Sequence, residues 1–217
     1  MAPPLIKICG LSTPETLDAA VAAGATHVGL VHFKPSPRHL SIAHAADLRE
    51  RVPANVKTVL LTVNMEPAQT SDILQAVRPD VLQLHGQETP EWLQLIREHS
   101  DLEIWKAIGV KDQASLEQAQ RYRPFAHRLL YDAPAGALPG GNGLALDWRL
   151  LKEFRHEVDW GLAGGLNADN VGDAIRQTRA PLVDTSSGVE SAPGVKDLDK
   201  IAAFCEAARA AMAALPG

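Results

Sequence analysis

Two side chains that could exchange protons with a substrate stand at the ends of short apolar runs. Cys9 lies in K-I-C-G at residues 7–10, and strand alternation turns it to the same side as Lys7, about 7 Å away. A nearby ammonium favours a thiolate, so Cys9 could act as a base; a small buried core residue is the alternative. Asp132 follows an apolar run that could raise its pKa and make it a general acid, or it could cap the next loop.

Three loops have the composition of anion-binding sites. The Pro-stiffened segment H-F-K-P-S-P-R-H at 32–39 contains Arg38, whose planar guanidinium suits a carboxylate or a phosphate, with a solvated loop charge as the alternative. Small residues follow two later apolar runs, at Gly164 and Gly165 and at Ser186, Ser187 and Gly188. Such residues let backbone amides approach an anion closely, so the two loops together predict a phosphate site.

Two histidines raise the question of a metal site. His85 stands in Q-L-H-G at 83–86, just past an apolar run, and His32 follows an earlier run. A catalytic metal usually needs three protein ligands, yet the neighbouring runs end in Asn64 and in glycines. The sequence therefore predicts no metal, and it predicts that His85 forms hydrogen bonds in the wall of a substrate pocket.

The elements that must position these residues are β-branched runs that alternate with amphipathic stretches along the chain. The predicted strands are residues 5–8, 27–31, 57–63, 81–84, 103–108, 128–132, 160–163 and 181–185. The predicted helices are residues 14–23, 43–51, 68–77, 90–99, 112–122, 148–156, 168–177 and 197–213. Eight such units match a (β/α)8 TIM barrel, whose site lies at the C-terminal ends of the strands; an open doubly wound sheet is the second choice.

Composition and charge narrow the class of protein. Residues 1–217 are 46% apolar and 22% charged, which is ordinary for one globular domain. The net charge of -5, with scattered Lys and Arg, argues against a nucleic-acid partner. The lack of a long apolar run and of a secretory start predicts a cytoplasmic protein without a membrane partner. Cys9 and Cys205 lack metal-site spacing, and both are expected to be reduced, with no chemistry at Cys205.

Motifs spread over the whole chain resemble one family. They are K-I-C-G at 7–10, S-P-R at 36–38, Q-L-H-G at 83–86, P-G-G-N-G at 139–143, L-A-G-G-L-N at 162–167, V-D-T-S-S-G-V-E at 183–190 and P-G-V-K-D at 193–197. In this order they resemble phosphoribosylanthranilate isomerase. The resemblance implies an Amadori rearrangement in tryptophan biosynthesis, which converts N-(5'-phosphoribosyl)anthranilate to 1-(2-carboxyphenylamino)-1-deoxyribulose 5-phosphate without a cofactor.

The resemblance also assigns roles to residues. It implies that Asp132 protonates the ribose ring oxygen and that Cys9 removes the C2 proton of the sugar. It places Arg38 against the anthranilate carboxylate and Asp184 beside a sugar hydroxyl. The phosphate would be held by the backbone around Gly164, Gly165, Ser186, Ser187 and Gly188.

Several positions depart from the common family form, and rival functions stay open. The departures are His32, Lys34, Tyr131, Asn142 and Thr185, and none removes a proposed catalytic group. The loop from 133 to 147 could cover the site. The sister isomerase of histidine biosynthesis is the nearest enzyme rival, but its family has an Asp where this chain has Cys9. A non-catalytic phosphate-binding barrel is the rival of another class, and both a monomer and a homodimer are open.

Overall fold

The computed structural model describes residues 5–134 and 146–215, and these form a closed barrel of eight parallel strands in sequential order. The predicted (β/α)8 barrel is therefore confirmed. The strands are β1 (Leu5–Cys9), β2 (His27–His32), β3 (Lys57–Thr62), β4 (Val81–Leu84), β5 (Glu103–Gly109), β6 (Arg128–Asp132), β7 (Asp159–Leu162) and β8 (Leu182–Thr185). A short antiparallel hairpin follows, made of β9 (Glu190–Ala192) and β10 (Val195–Lys196).

Helices cover the outside of the barrel. They are α1 (Pro14–Ala22), α2 (Ile42–Glu50), α3 (Pro67–Val77), α4 (Pro90–His99), α5 (Gln113–Ala119), α6 (Arg149–Lys152), α7 (Val171–Thr178) and α8 (Leu198–Ala213). Several begin at hydroxyl caps that accept backbone hydrogen bonds, as Thr13 does from Thr16 at the start of α1. These caps satisfy N–H groups that have no partner inside the helix, and they fix where each strand-to-helix loop ends.

Helix α6 is the largest departure from the predicted helices, whereas α7 begins three residues later than predicted. The amphipathic pattern predicts a helix over 148–156, but α6 ends at Lys152. The chain beyond it leaves the helix and packs aromatic rings together: His156 stacks on Trp160 at 4.0 Å, and Phe154 meets the edge of Tyr131. Burial of these rings against β6 and β7 replaces the missing helical turns.

Alternation along the strands divides the core in two. One set of side chains faces the helices, whereas Val59, Val81, Trp105, Leu130 and Leu182 form a separate buried cluster inside the barrel. The barrel closes by pairing β1 with β8, and this register sets Lys7 beside Asp184. The ends of the first and last strands thus lie together at the mouth of the barrel. Within the described ranges, no helix is long and apolar enough to cross a membrane.

Candidate active site

A pocket of about 610 Å3, part of it open to solvent, lies at the C-terminal ends of the strands. Its lining includes every residue that the sequence singles out for a site. These are Cys9, Arg38, His85, Asp132, Asp184, Gly164, Gly165, Ser186, Ser187 and Gly188. The barrel therefore brings together loops from six strands that are far apart in the sequence.

Cys9 ends β1 and is almost fully buried against Val31 and Leu61. Burial raises the pKa of its thiol, and the ammonium groups of Lys7 and Lys196 oppose this rise. Lys7 thus acts in the direction that the sequence suggests, but burial outweighs it. The nearby cations limit the cost of making the thiol a thiolate.

Lys7 and Asp184 form a buried pair directly beneath Cys9. The Lys7 Nζ lies 2.9 Å from both carboxylate oxygens of Asp184. Burial alone would lower the pKa of Lys7, but the charges of Asp184 and Cys9 outweigh it and raise that pKa. Burial raises the pKa of Asp184, and Lys7 opposes it. Because both oxygens accept from one ammonium, we describe the two side chains as an ionised pair.

Asp132 is held by two partners at the end of β6. One oxygen accepts a hydrogen bond from the backbone N–H of Ala133 at 2.8 Å, and the other lies 3.3 Å from Nε2 of His85. His85 contacts Gln83 through its other ring nitrogen at 3.5 Å. His85 therefore contacts Asp132, and this contact orients the Asp132 carboxyl group that faces the pocket.

Arg38 is paired before any ligand arrives. Its Nε and Nη2 donate to the two oxygens of Glu190, each at 2.7 Å. Lys196 donates to the same carboxylate at 2.7 Å and to the backbone oxygen of Ser186 at 2.8 Å. Sequence reasoning missed Glu190 and Lys196, although both stand in quoted motifs; a buried charge on a short hairpin is the signal that could have found them.

The loops after β7 and β8 lie side by side. Gly164 and Gly165 both have positive φ, at 87° and 70°, which turns the backbone sharply after β7. Among the residues that the structure describes, the backbone N–H groups of Gly165 and Ser186 find no acceptor. Free amides in adjacent turns are the arrangement that binds phosphate oxygens.

Two side chains brace these loops. Thr185, a departure from the common family form, donates through Oγ1 to the backbone oxygen of Leu166 at 2.7 Å and so joins the two loops. Asn170 donates to the backbone oxygen of Gly165 at 2.9 Å and accepts from Asn167 N–H at 2.8 Å. The sequence gives no sign of either contact.

Apolar side chains form another part of the pocket lining. This apolar wall consists of Val31, Phe33, Leu61 and Val63, from the ends of β2 and β3. A flat aromatic ring would be desolvated against such a wall. These residues could not be identified from the sequence, because apolar side chains at strand ends cannot be told from ordinary core residues.

The structure does not supply a metal centre in the part of the chain it describes, where no three His, Cys, Asp or Glu side chains converge. His32 and His85 are separate, since Nδ1 of His32 pairs with the backbone oxygen of Leu40. The P-G-G-N-G motif at 139–143, Asn142 and most of the loop from 133 to 147 lie outside the described residues.

Comparisons with known proteins agree on one family. Residues 6–207 match the family model described as N-(5'-phosphoribosyl)anthranilate (PRA) isomerase. A protein of that name from Erythrobacter litoralis is 62% identical, over 94% of this chain and 98% of its own. The crystal structure of the Thermotoga maritima isomerase has a TM-score of 0.88 at 35% identity, covering 95% of this chain and 99% of its own. An isomerase structure in complex with reduced 1-(o-carboxyphenylamino)-1-deoxyribulose 5-phosphate has a TM-score of 0.83 at 34% identity, covering the same shares of the two chains.

Proposed function

Because the chain belongs to the N-(5'-phosphoribosyl)anthranilate isomerase family, we propose that it performs the Amadori rearrangement of tryptophan biosynthesis with Cys9 as base and Asp132 as acid. The isomerase activity is that of the family. The observation that carries the residue roles is the meeting of a thiol and a carboxyl in one pocket, beside two loops whose backbone amides at Gly165 and Ser186 have no acceptor within residues 5–134 and 146–215.

The reaction needs one acid and one base. Protonated Asp132 gives its proton to the ribose ring oxygen, the bond from that oxygen to C1 breaks, and the nitrogen lone pair forms a Schiff base. The Cys9 thiolate then takes the proton from C2, and the released electron pair makes the C1–C2 double bond of an enolamine as nitrogen regains its lone pair. Transfer of the hydroxyl proton from the C2 oxygen, with protonation at C1, gives the ketone.

The two ends of the substrate have separate anchors in this proposal. The amides of the loops after β7 and β8 receive the phosphate, and Arg38 faces the carboxylate of the anthranilate ring. The ring lies against the apolar wall, while Asp184 and His85 contact the sugar region. Anchoring both ends holds C2 near the thiol, and such positioning contributes much of an enzyme's rate.

The wider setting of the proposal follows from the sequence. We expect residues 1–217 to act as one catalytic domain in the cytoplasm, on a small phosphorylated molecule and without a cofactor. Cys9 in place of the Asp of the histidine-pathway family argues for the anthranilate substrate. A barrel that only bound phosphate ligands would have no use for the adjacent thiol and carboxyl.

Turnover of freshly made N-(5'-phosphoribosyl)anthranilate tests the residue roles. We expect Cys9→Ala and Asp132→Asn each to lower kcat by about 100-fold or more, with ligand binding retained, because each removes one proton-transfer group. Product formation followed by fluorescence gives kcat, and the Kd of reduced 1-(o-carboxyphenylamino)-1-deoxyribulose 5-phosphate reports binding.

The second cysteine offers a matched control. Cys205 is buried in α8, away from the pocket, and burial raises its pKa to about 11. Cys205→Ala should keep wild-type kcat. Full activity in Cys9→Ala would remove the thiol from the mechanism, and equal turnover of the histidine-pathway aminoaldose would make the enzyme one of dual specificity.

A further inference from the structure

The contacts of Arg38 point to an additional residue that sets substrate choice. We infer that Glu190 is a positioning residue, which aims the Arg38 guanidinium at the substrate carboxylate and so selects for carboxylate-bearing ligands. This inference rests on the proposed function and extends it to a residue outside the pocket lining.

The hydrogen-bond geometry fixes the orientation of the guanidinium. Glu190 takes one donor from Nε and one from Nη2, both at 2.7 Å. A guanidinium has five N–H donors in a rigid plane, so the end formed by Nη1 and Nη2 keeps the donors needed for a second carboxylate. Arg38 lines the pocket, and we assign that end to a ligand there. A bidentate partner removes the rotational freedom that an arginine on a loop would otherwise have.

Charge balance makes this arrangement suitable for an anion. Arg38, Glu190 and Lys196 are all buried, and together they carry one net positive charge. Lys196 also donates to the backbone and side-chain oxygens of Ser186, and Ser186 donates through Oγ to the backbone oxygen of Cys9. These contacts therefore connect Arg38, the loop after β8 and the end of β1. Buried ion clusters contribute little net stability, which favours a role in orientation.

The backbone leaves room for the aimed side chain. A Cβ on Gly10, whose φ is 77°, would lie 2.6 Å from Cδ of Arg38, so only glycine lets the arginine stem pass over β1 at this point. The simplest alternative is that Glu190 only fastens the β9–β10 hairpin. Its carboxylate does accept from Gly194 N–H, but at 3.2 Å, whereas its three shortest contacts go to Arg38 and Lys196 at 2.7 Å.

Two stable ligands distinguish an effect of Glu190 on the orientation of Arg38 from an effect on folding. The first is reduced 1-(o-carboxyphenylamino)-1-deoxyribulose 5-phosphate, and the second is the same compound without its carboxyl group. We expect Glu190→Gln to weaken the first about tenfold and the second by less than about twofold, since only the first uses the Arg38 contact. Calorimetry gives both Kd values, and Glu206→Gln on the exposed face of α8 is the matched control.

A double-mutant cycle shows whether Glu190 acts through Arg38. In an Arg38→Met background, Glu190→Gln should add no further loss for the carboxylate ligand. Glu190→Asp, which keeps the charge on a shorter stem, should lose less than Glu190→Gln. Equal weakening of both ligands, or additive losses in the cycle, would make Glu190 a structural residue and overturn the inference. The wild-type chain is assayed for turnover alongside; absence of turnover would overturn the proposed function, whereas turnover with unchanged ligand preference in Glu190→Gln would overturn only the role of Glu190.

Discussion

At the scale of single residues, the central question is how a buried thiol becomes a base. Burial raises the pKa of Cys9, and Asp184 raises it further, while Lys7 and Lys196 lower it. The base is the thiolate, so activity should increase as the pH rises toward the pKa of Cys9. The balance of charges around Cys9 therefore decides how much active enzyme is present at neutral pH.

Replacing Lys7 should show how strongly its charge lowers the pKa of Cys9. Lys7→Met removes a cation that stabilises the thiolate, so the pKa of Cys9 should rise and the ascending limb of the profile of kcat/KM against pH should move to higher pH. At neutral pH we expect a loss of about tenfold or more, because a smaller share of the enzyme then holds the thiolate. The ultraviolet absorbance of the thiolate gives the same pKa without turnover.

Lys57→Met is the control for that change. Lys57 starts β3 at the opposite end of the barrel, with an exposed side chain paired to Glu103. Its removal should leave the ascending limb in place. If Lys7→Met is folded by circular dichroism and the ascending limb of its profile of kcat/KM against pH does not move, then Lys7 interacts with Asp184 but does not set the pKa of Cys9.

At the scale of elements, the loops after β7 and β8 work as one unit. A Cβ on Gly188 would lie 1.9 Å from the backbone oxygen of Leu166 and 2.8 Å from Oγ1 of Thr185. Gly188→Ala must therefore push the loops apart and break the Thr185 contact between them. We expect a loss of about 1–3 kcal/mol in the free energy of unfolding and an inhibition constant for inorganic phosphate raised about tenfold.

Gly172 provides the control, because its replacement by alanine should raise the stability of the protein, whereas Gly188→Ala should lower it. Gly172 lies in α7, and its added Cβ would meet the flexible end of Arg176 at 3.2 Å and Cβ of Ala211 at 3.8 Å, which is ordinary van der Waals contact. Alanine favours a helix over glycine by roughly 0.5–1 kcal/mol, so Gly172→Ala should raise the Tm and leave phosphate inhibition unchanged. Equal phosphate inhibition in both variants would contradict the assignment of the loop after β8.

The elements also show what a sequence can and cannot disclose. Strands β4 and β6 have the predicted bounds, because apolar runs with turn residues on both sides leave little choice of register. The length predicted for helix α6 is wrong. Its amphipathic pattern competes with a tertiary aromatic cluster, which local spacing does not reveal. The pocket residues were predictable once the barrel was, since strand ends converge. The Arg38–Glu190 and Thr185–Leu166 contacts were not, because they depend on how loops pack.

At the scale of the whole molecule, the end of the barrel opposite the pocket holds a buried histidine that should make the fold sensitive to acid. His27 is buried there beside Trp105, with ring centres 5.2 Å apart. Burial and, to a lesser extent, Lys57 lower the pKa of His27 from 6.5 to about 3. The unfolded chain binds this proton more readily than the folded one, so the free energy of unfolding falls as the pH drops below 6.5 and continues to fall until about 3.

Between pH 7 and pH 5 this single group should cost about 2 kcal/mol of stability. His27→Gln removes the titration, so the difference between the two pH values should shrink by about that amount. Urea unfolding followed by tryptophan fluorescence measures it. His99→Gln in α4 replaces an exposed histidine and should leave the difference unchanged; an unchanged difference in His27→Gln would place the acid sensitivity elsewhere.

The pairing of β1 with β8 has a consequence for how the protein is made. Lys7 and its partner Asp184 are 177 residues apart, so Lys7 is synthesised well before its partner. Until then the strand that bears the thiol can pair with β2 but not with β8, and its lysine lacks its carboxylate partner. A product truncated before β8 would therefore carry an uncompensated charge on an open sheet edge, and we expect it to lack the closed pocket.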